Sequence, residues 1–295
     1  MTVRLKGTFF VIASAVIFGF VPLLAMTVYD NGGTPFSLAL MRTAIPLPFL
    51  LVFFLTTGRK WRLDQEKRLP MFILSLSCTV TPLLLFSAYD RIPSGMATTL
   101  HFTYPVFVVV GSIFFCRERA TRIKILCGCL CTAGIVLFYT PGGAVDVAGI
   151  LMAFVSGIVY AFYIIYLSRS GLSDMDPLVM VFWQLVFVSA ETFLFLAFTG
   201  SLSFGLTALG WGAAMVQALV GSLIAVVFFQ YGVACIGPQQ ASILSTFEPI
   251  TSIVVGIIFF QEPFGIKTAI GSTLILTAVI FLTLFDKEKS PEASL

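Results

Sequence analysis

Long apolar stretches, separated by short polar connections, dominate the pattern along this chain. Ten of them have about the 20 residues that an α-helix needs to cross the hydrocarbon core of a bilayer. Their approximate bounds are 7–28, 35–56, 70–89, 94–115, 121–140, 147–168, 177–199, 208–234, 239–260 and 266–285. The pattern predicts an all-α integral membrane protein with ten transmembrane helices, which we call spans 1 to 10 in chain order.

The connections carry turn-forming residues and leave no room for a water-soluble domain. Four of them contain Asn31-Gly32-Gly33, Pro93-Ser94-Gly95, Pro141-Gly142-Gly143 and Gly237-Pro238. Only the connection 57–69 is longer. Because no small-residue cleavage site follows span 1, we expect it to be the first transmembrane helix and not a signal peptide.

Composition strengthens this prediction and excludes other classes. Hydrophobic residues make up 58% of the 295 and charged residues only 11%, against about 25% charged in soluble proteins. A net charge of +3 is too small to indicate nucleic acid as a partner. The six cysteines form no disulfide or metal-ligand framework. We therefore expect the lipid bilayer as a partner, and no cofactor or metal.

The basic residues predict the orientation. Fourteen of the 17 fall on one side of the ten predicted spans, two on the other and one, Arg42, inside a span. Since basic residues favour the cytoplasmic side, both termini should be cytoplasmic, in the plasma (inner) membrane. Termini on the same side require an even number of spans, as ten is.

The two halves of the chain are related in sequence. At an offset of 142, Gly7 matches Gly149, Pro35 matches Pro177 and Gly58 matches Gly200; further pairs are Phe18/Tyr160, Phe20/Phe162, Arg42/Gln184 and Tyr89/Tyr231. At 144, Pro105 matches Pro249 and Glu118 matches Glu262. We predict one integrated transmembrane domain of two five-helix repeats, 1–145 and 146–295.

An odd number of helices per repeat inverts the second copy in the membrane. Inverted repeats are typical of transporters, because the two halves can exchange conformations and open one site to alternate sides. A membrane enzyme, a channel and a receptor remain as alternatives. The sequence contains no phosphate loop, nucleophile elbow or histidine pair, so we do not expect an enzyme or an ATP-driven pump.

Several short motifs resemble the drug/metabolite transporter superfamily, and its EamA family in particular. They are Phe18-Gly19 in span 1, where that family often has Trp-Gly, Arg42 in span 2, Tyr104-Pro105 in span 4 with Glu118 after it, and Glu248-Pro249 in span 9 with Glu262 after it. The resemblance covers about residues 7–285. It implies a carrier of amino acids, sugars, nucleotide sugars, vitamins or cationic drugs, with spans 5 and 10 peripheral.

Ionisable side chains within the spans are the first candidates for the substrate path, because they are costly in a bilayer. Arg42 suits a carboxylate or an ion pair with Glu191. Glu248 suits an amine, a coupling proton or backbone groups freed by Pro249. His101 is either a titrating group or a packing residue. Gln184 shares a helical face with Glu191, since seven residues separate them.

Two matching polar faces are the strongest candidate for the path. Span 4 contributes Thr98, His101, Phe102 and Pro105, and span 9 contributes Ser242, Ser245, Thr246 and Pro249. We predict hinges at Pro105 and Pro249. Aromatic walls are expected from Phe18, Phe20, Tyr89, Tyr160, Phe162 and Tyr231. Helix packing, where Ser and Thr are also favoured, is the alternative.

These expectations combine into one functional hypothesis. A small polar metabolite, an amino acid or a related compound, binds near the midplane between spans 1–4 and 6–9 and leaves the cytoplasm by alternating access. Transport is facilitated or driven by an ion gradient, with a coupling proton as an optional partner. A sugar, vitamin or cationic drug is the alternative substrate. The sequence does not define the oligomeric state.

Overall fold

The protein is helical throughout the part that the structure describes. This computed structural model describes residues 3–116, 121–138, 146–201, 203–236, 241, 243–262 and 265–285. Seven helical stretches are long and apolar enough to cross a membrane, and Ile125–Leu137 and Phe247–Phe260 are shorter apolar helices. The chain is therefore a multi-pass membrane protein, while a count of ten spans stays a prediction. Glu118 and Ser242 lie outside the described residues.

The helices follow the predicted spans. Spans 1 to 5 contain α1 (Val3–Gly19), α2 (Val21–Asp30), α3 (Pro35–Ala44), α4 (Pro46–Thr57), α5 (Gln65–Tyr89), α6 (Ser94–His101), α7 (Tyr104–Cys116) and α8 (Arg122–Phe138). Spans 6 to 10 contain α9 (Val147–Arg169), α10 (Pro177–Thr199), α11 (Ala208–Val216), a π-helical stretch (Gln217–Ile224), α12 (Ala225–Ile236), α13 (Phe247–Phe260) and α14 (Ile266–Phe285). A short 3₁₀ turn, Leu172–Asp174, precedes α10.

Four predicted spans contain a break in the helix just before a proline. The breaks lie at Phe20 before Pro22, at Ile45 before Pro46, at 102–103 before Pro105 and at 245–246 before Pro249. Proline has no backbone N–H and its ring collides with the preceding turn. The sequence therefore interrupts these spans without ending them.

The same start and stop signals recur in the two halves, at an offset of 142. The side chain of Thr34 caps α3 before Pro35, and that of Asp176 caps α10 before Pro177. Gly58 (φ 64°) ends α4 and Gly200 (φ 65°) ends α10 in the left-handed region, which glycine adopts without a steric cost.

Helix packing is also matched between the halves. The α5 helix of the first half packs on α9 of the second, and the equivalent α11–α12 segment of the second half packs on α1 and α2 of the first. Three further pairs join each span to its own counterpart: α3 with α10, α6 with α13, and α8 with α14. This is the pattern of two repeats related by an approximate twofold axis. The boundaries 1–145 and 146–295 stay a prediction.

The contact of α1 with α13 depends on the absence of a side chain at Gly19. A Cβ atom there would lie 2.4 Å from Cβ of Thr251 and 2.8 Å from the carbonyl oxygen of Glu248. We expect Gly19→Val to lower the free energy of unfolding by about 1–3 kcal/mol through overpacking, measured as thermal unfolding in detergent. Gly128→Val is the control, because nothing lies within 4 Å of a Cβ there. Equal melting of the two variants would contradict this packing.

Candidate functional site

The helix breaks in spans 4 and 9 place two polar side chains inside the helical bundle. Span 4 resumes as α7 at Tyr104, and span 9 resumes as α13 at Phe247. Pro105 and Pro249 therefore lie in the first turn of a helix, where a missing N–H costs little. Tyr104 and Glu248 take the neighbouring positions. The hinge role of the two prolines stays a prediction.

An aromatic cluster surrounds the break in span 4. The rings of Tyr104 and Tyr160 meet edge to face at 4.8 Å between centroids, and Tyr160 stacks on Tyr163 at 5.5 Å. His101 lies 5.4 Å from Tyr160, and the buried Phe102 lies 5.6 Å from Tyr104. We call these five residues the aromatic cluster; it joins α6, α7 and α9.

His101 has one ring nitrogen engaged. Its Nδ1 lies 2.9 Å from Oγ of Ser156, which itself donates to the carbonyl oxygen of Ala153 at 2.6 Å. A hydroxyl has a single proton, so Nδ1 of His101 donates to Ser156. Nε2 of the neutral ring is then a free acceptor, because no described residue donates to it. His101 is buried, which also fits the packing alternative.

A chain of hydroxyls connects the two polar faces. The hydroxyl of Tyr89 lies 3.3 Å from Oγ1 of Thr98, which lies 3.0 Å from Oγ of Ser252. These residues belong to α5, α6 and α13, so the chain crosses from the first half to the second. A tyrosine that the sequence predicts as a cavity wall thus also has a hydrogen-bonding role.

Within the described residues, the positive charge of Arg42 inside the bundle finds no ion-pair partner. Its Nε donates to Oγ of Ser222 at 3.3 Å, and its guanidinium carbon lies 5.6 Å above the ring of Phe86. The two terminal nitrogens make no hydrogen bond within the described residues. The Nε anchor leaves the terminal fork free for a planar anion, such as a carboxylate.

Among the described residues, the carboxyl group of Glu248 inside the bundle finds no ion-pair partner. The side chain is half-buried, and no described residue hydrogen-bonds to its carboxyl oxygens. The predicted alternative, a bond to backbone freed by Pro249, is not formed by any described residue. The backbone N–H of Glu248 donates to the carbonyl oxygen of Ser245 at 2.9 Å. The carboxyl group is therefore available to a ligand.

Arg42 and Glu248 lie near the same tyrosines and form no ion pair with each other. Both charges are within electrostatic range of Tyr89 and Tyr160, and that of Glu248 also of Tyr104. The ion pair found in the described part of the chain, Arg91–Asp146, lies elsewhere. Two opposite charges therefore lie within electrostatic range of Tyr160 in the aromatic cluster, and we take this region as the candidate binding site.

Gln184 and Glu191 face a different neighbour, α5. Nε2 of Gln184 lies 2.9 Å from Sγ of Cys78. The carboxyl group of Glu191 accepts hydrogen bonds from Ser75 and from Thr79, the latter at 2.7 Å. The alternative of an Arg42–Glu191 ion pair is not what the structure shows.

Other predicted site residues lie outside the candidate site or beside it. Tyr231 is 48% exposed and packs on Phe10, with 4.9 Å between centroids. Phe20 and Phe162 are also exposed. Phe18 packs on the main hydrophobic core. Ser245 and Thr246 are buried just before α13, where Thr246 donates to the carbonyl oxygen of Ile243.

Polar contacts close one end of the bundle. The carboxylate of Glu262 accepts from the backbone N–H of Ser94 at 2.8 Å and from its hydroxyl at 3.1 Å, and so caps α6 from the other half. Arg91 and Asp146 form an ion pair at 2.7 Å. This hydrogen bond from Arg91 lowers the pKa of Asp146 below its usual value.

Sequence reasoning missed several members of the site. Ser156, Tyr163, Phe86 and Ser252 were not predicted, and Tyr104 entered only as part of a motif. Ser156 offered one signal, since it matches Ser14 at the repeat offset of 142. Helical spacing offered another, because Ser252 lies one turn after Glu248. Phe86 and Tyr163 had no signal that separates them from lipid-facing aromatic residues.

Opposed helical halves with charged side chains between them define the class of a membrane transporter. The EamA-like transporter family matches residues 5–140 and again residues 147–284. The chain belongs to this family, as the motifs in spans 1, 2, 4 and 9 predict, and the two matches confirm the internal repeat.

Relatives and a solved structure agree with this assignment. The chain is 26% identical to "Uncharacterized transporter YvbV" of Bacillus subtilis over 88% of this chain and 86% of that protein. It is 29% identical to "Threonine/homoserine exporter RhtA" of Salmonella typhimurium over 50% of this chain and 48% of that protein. One solved crystal structure superposes on this protein with a TM-score of 0.65 at 17% sequence identity. The match covers 94% of this chain and 97% of the other, which shows that the two share a fold.

Proposed function

We propose that the protein exports a small zwitterionic metabolite, an amino acid or a close relative, by alternating access. The observation that carries this proposal is the pair of opposite charges, Arg42 and Glu248, which find no ion-pair partner among the described residues and are both within electrostatic range of Tyr160 in the aromatic cluster. Isolated charges in a membrane protein are costly. A zwitterion in matching orientation would neutralise both of them at once.

The amino end of the substrate fits the surroundings of Glu248. An ammonium group would meet one carboxylate and the faces of nearby tyrosine rings, which attract cations by about 0.5–2 kcal/mol each. Tyr104 and Tyr160 are the rings within electrostatic range of Glu248. The free acceptor Nε2 of His101, next to Tyr160, would add a hydrogen-bond partner at the same end.

The carboxyl end fits Arg42. Its terminal nitrogens present two parallel N–H groups, the geometry that binds a carboxylate in bidentate fashion. Ser222 holds Nε from the opposite half of the protein, across spans 2 and 8. A substrate carboxylate at Arg42 would therefore connect both repeats, as a carrier with two moving halves requires.

Direction and mechanism rest on topology and on a relative. The bias of basic residues predicts cytoplasmic termini in the plasma (inner) membrane, and the matched packing of the two halves supports two exchangeable conformations. A relative that is 29% identical over half the chain is described as an exporter of threonine and homoserine. These observations favour outward movement of a small hydroxylated or neutral amino acid.

A second candidate substrate is an organic cation. The aromatic cluster beside Glu248 is a setting in which a cationic amine binds by itself. Such a substrate would leave the positive charge of Arg42 without a counterion. For that reason the zwitterion accounts for more of the site.

Competition during uptake separates the two candidates. Proteoliposomes would take up labelled threonine in the presence of its decarboxylated amine, its deaminated hydroxy acid, or unlabelled threonine and homoserine. We expect the zwitterions to compete at least tenfold more strongly than either analogue. An amine as potent as the zwitterion would favour the organic cation, and no competition by any amino acid would sink the proposal.

A further inference from the structure

A second carboxyl group inside the membrane, Glu191, is outside the candidate binding site. It lies on α10 about eight residues from the end of that helix, roughly 12 Å along its axis. The side chain is half-buried, so it is neither sealed in the core nor free in solvent. Its partners are hydroxyl groups of Ser75 and Thr79 on α5. No cation pairs with it in the described part of the chain.

The hydroxyl group of Ser75 has two acceptors within reach but only one proton to donate. Oγ of Ser75 is within hydrogen-bond distance of Oε1 of Glu191 and also lies 2.8 Å from the carbonyl oxygen of Phe72. A serine hydroxyl has one proton to donate and two lone pairs that accept. Ser75 can therefore donate to only one of these two oxygens at a time.

Two proton arrangements satisfy the site, and they differ by one proton on Glu191. In the ionised arrangement, Ser75 and Thr79 each donate to the carboxylate. In the protonated arrangement, Glu191 donates from Oε1 to Oγ of Ser75, Ser75 donates to Phe72, and Thr79 still donates to Oε2. A proton can thus bind and leave while the carboxyl group keeps two hydrogen bonds in both forms.

We propose that Glu191, with Ser75 and Thr79, is the proton-binding site that couples transport to a proton gradient. The inference rests on the proposed function and adds its driving ion. One proton enters from outside, protonates the carboxylate of Glu191, and leaves to the cytoplasm for each substrate exported. The sequence alone favoured Glu248 for this role, but Glu248 lacks hydroxyl partners among the described residues and lies at the candidate binding site.

The titratable groups on the helices that pack against α10 form no ion pair with Glu191 within the described residues. On α5, Cys78 is within electrostatic range of Glu191. The other titratable groups of that helix, Glu66, Lys67, Arg68 and Tyr89, lie near its ends. On α3, Arg42 is directed at Ser222 and Phe86. α4 and the remainder of α10 contain no titratable side chain.

The helices that hold the proton site also hold the substrate site. α5 carries Ser75 and Thr79, and it carries Phe86 and Tyr89 as well, which contact Arg42 and Thr98. α10 reaches α3 through a hydrogen bond of 3.1 Å from Ser189 to Thr43, the residue after Arg42. A change in the α5–α10 contact therefore reaches Arg42 through two packed helices, a contiguous physical connection.

Infrared difference spectroscopy tests proton binding without a substrate. Purified protein in lipid would be compared between acidic and alkaline buffer, and the carbonyl band of a protonated carboxyl group recorded. We expect Glu191→Gln to remove one such band, Ser75→Ala to shift it, and Glu66→Gln, at an exposed position, to leave it unchanged. A spectrum that Glu191→Gln does not alter would overturn the proposal.

Transport driven by a pH gradient tests coupling. Labelled threonine would be followed in proteoliposomes with and without a pH gradient, and in counterflow at equal pH, which moves no net proton. We expect the wild type to accumulate substrate at least fivefold with the gradient, and Glu191→Gln to lose this accumulation but continue counterflow. Two results would overturn coupling at Glu191. One is accumulation driven by the gradient in the Glu191→Gln variant; the other is a wild type that shows counterflow but accumulates no more substrate with the gradient than without it. Absence of counterflow in the wild type would instead count against the proposed substrate, and the infrared result would still decide proton binding.

Discussion

Glu248→Gln is expected to reduce the affinity for a zwitterionic substrate about a hundredfold. The substitution keeps the shape of the side chain and removes the charge that faces the ammonium group. Loss of one partner of a desolvated charge pair costs about 2–5 kcal/mol, and each 1.4 kcal/mol is tenfold in affinity. The concentration dependence of uptake into proteoliposomes measures this loss.

Thermal unfolding separates this role from a structural one. No described residue hydrogen-bonds to the carboxyl group of Glu248, so the substitution removes no stabilising contact. The free energy of unfolding of the glutamine variant should therefore lie within about 1 kcal/mol of the wild-type value. Glu66→Gln, the same substitution at an exposed position, is the control for both measurements. A variant that melts much earlier and transports normally per folded molecule would show that Glu248 stabilises the fold instead.

Arg42→Gln is expected to weaken zwitterion binding by a similar factor, through the opposite end of the substrate. A bidentate contact to a carboxylate needs the planar fork of arginine, and lysine supplies only a point charge. We therefore expect Arg42→Lys to recover part of the affinity that Arg42→Gln loses. Binding of the decarboxylated amine should change little in either variant, since it has no carboxylate. Competition assays with both ligands measure the difference.

Ser222→Ala tests whether the hydrogen bond from Arg42 to Ser222 orients the guanidinium group for binding. It removes the hydrogen bond to Nε and leaves the charge in place, so we expect a loss of about 1 kcal/mol, or roughly fivefold. If the amine and the zwitterion lose affinity equally in Arg42→Gln, the arginine supports the site as a whole and does not bind the carboxylate.

The helices and their repeat follow from strong, local sequence signals. Apolar length predicted where the helices lie, and proline and glycine mark the ends of span 2 and α10. Asp176-Pro177 and Gly200 enclose α10 as Thr34-Pro35 and Gly58 enclose span 2. Such caps act within a few residues, which is why they can be recognised in a single sequence.

The partners of side chains depend on the rotation of each helix, which the sequence did not define. Arg42 and Glu191 are at similar predicted depths, and their opposite charges suggested an ion pair. Packing instead turns Arg42 to Ser222 and Phe86, and Glu191 to two hydroxyls. Likewise Tyr89 and Tyr231 are equivalent in the repeat, but Tyr89 is buried in the bundle and Tyr231 is at the surface.

Counterflow in proteoliposomes tests the central claim, carriage of an amino acid by a single alternating site, most directly. Vesicles loaded with unlabelled threonine would be diluted into a trace of labelled threonine, with empty vesicles beside them. The account predicts transient accumulation of label in the loaded vesicles and none in the empty ones. Each time the site carries an unlabelled threonine out of a loaded vesicle, it returns with a labelled one. Equal entry of label into loaded and empty vesicles, from protein shown to be folded, would contradict it.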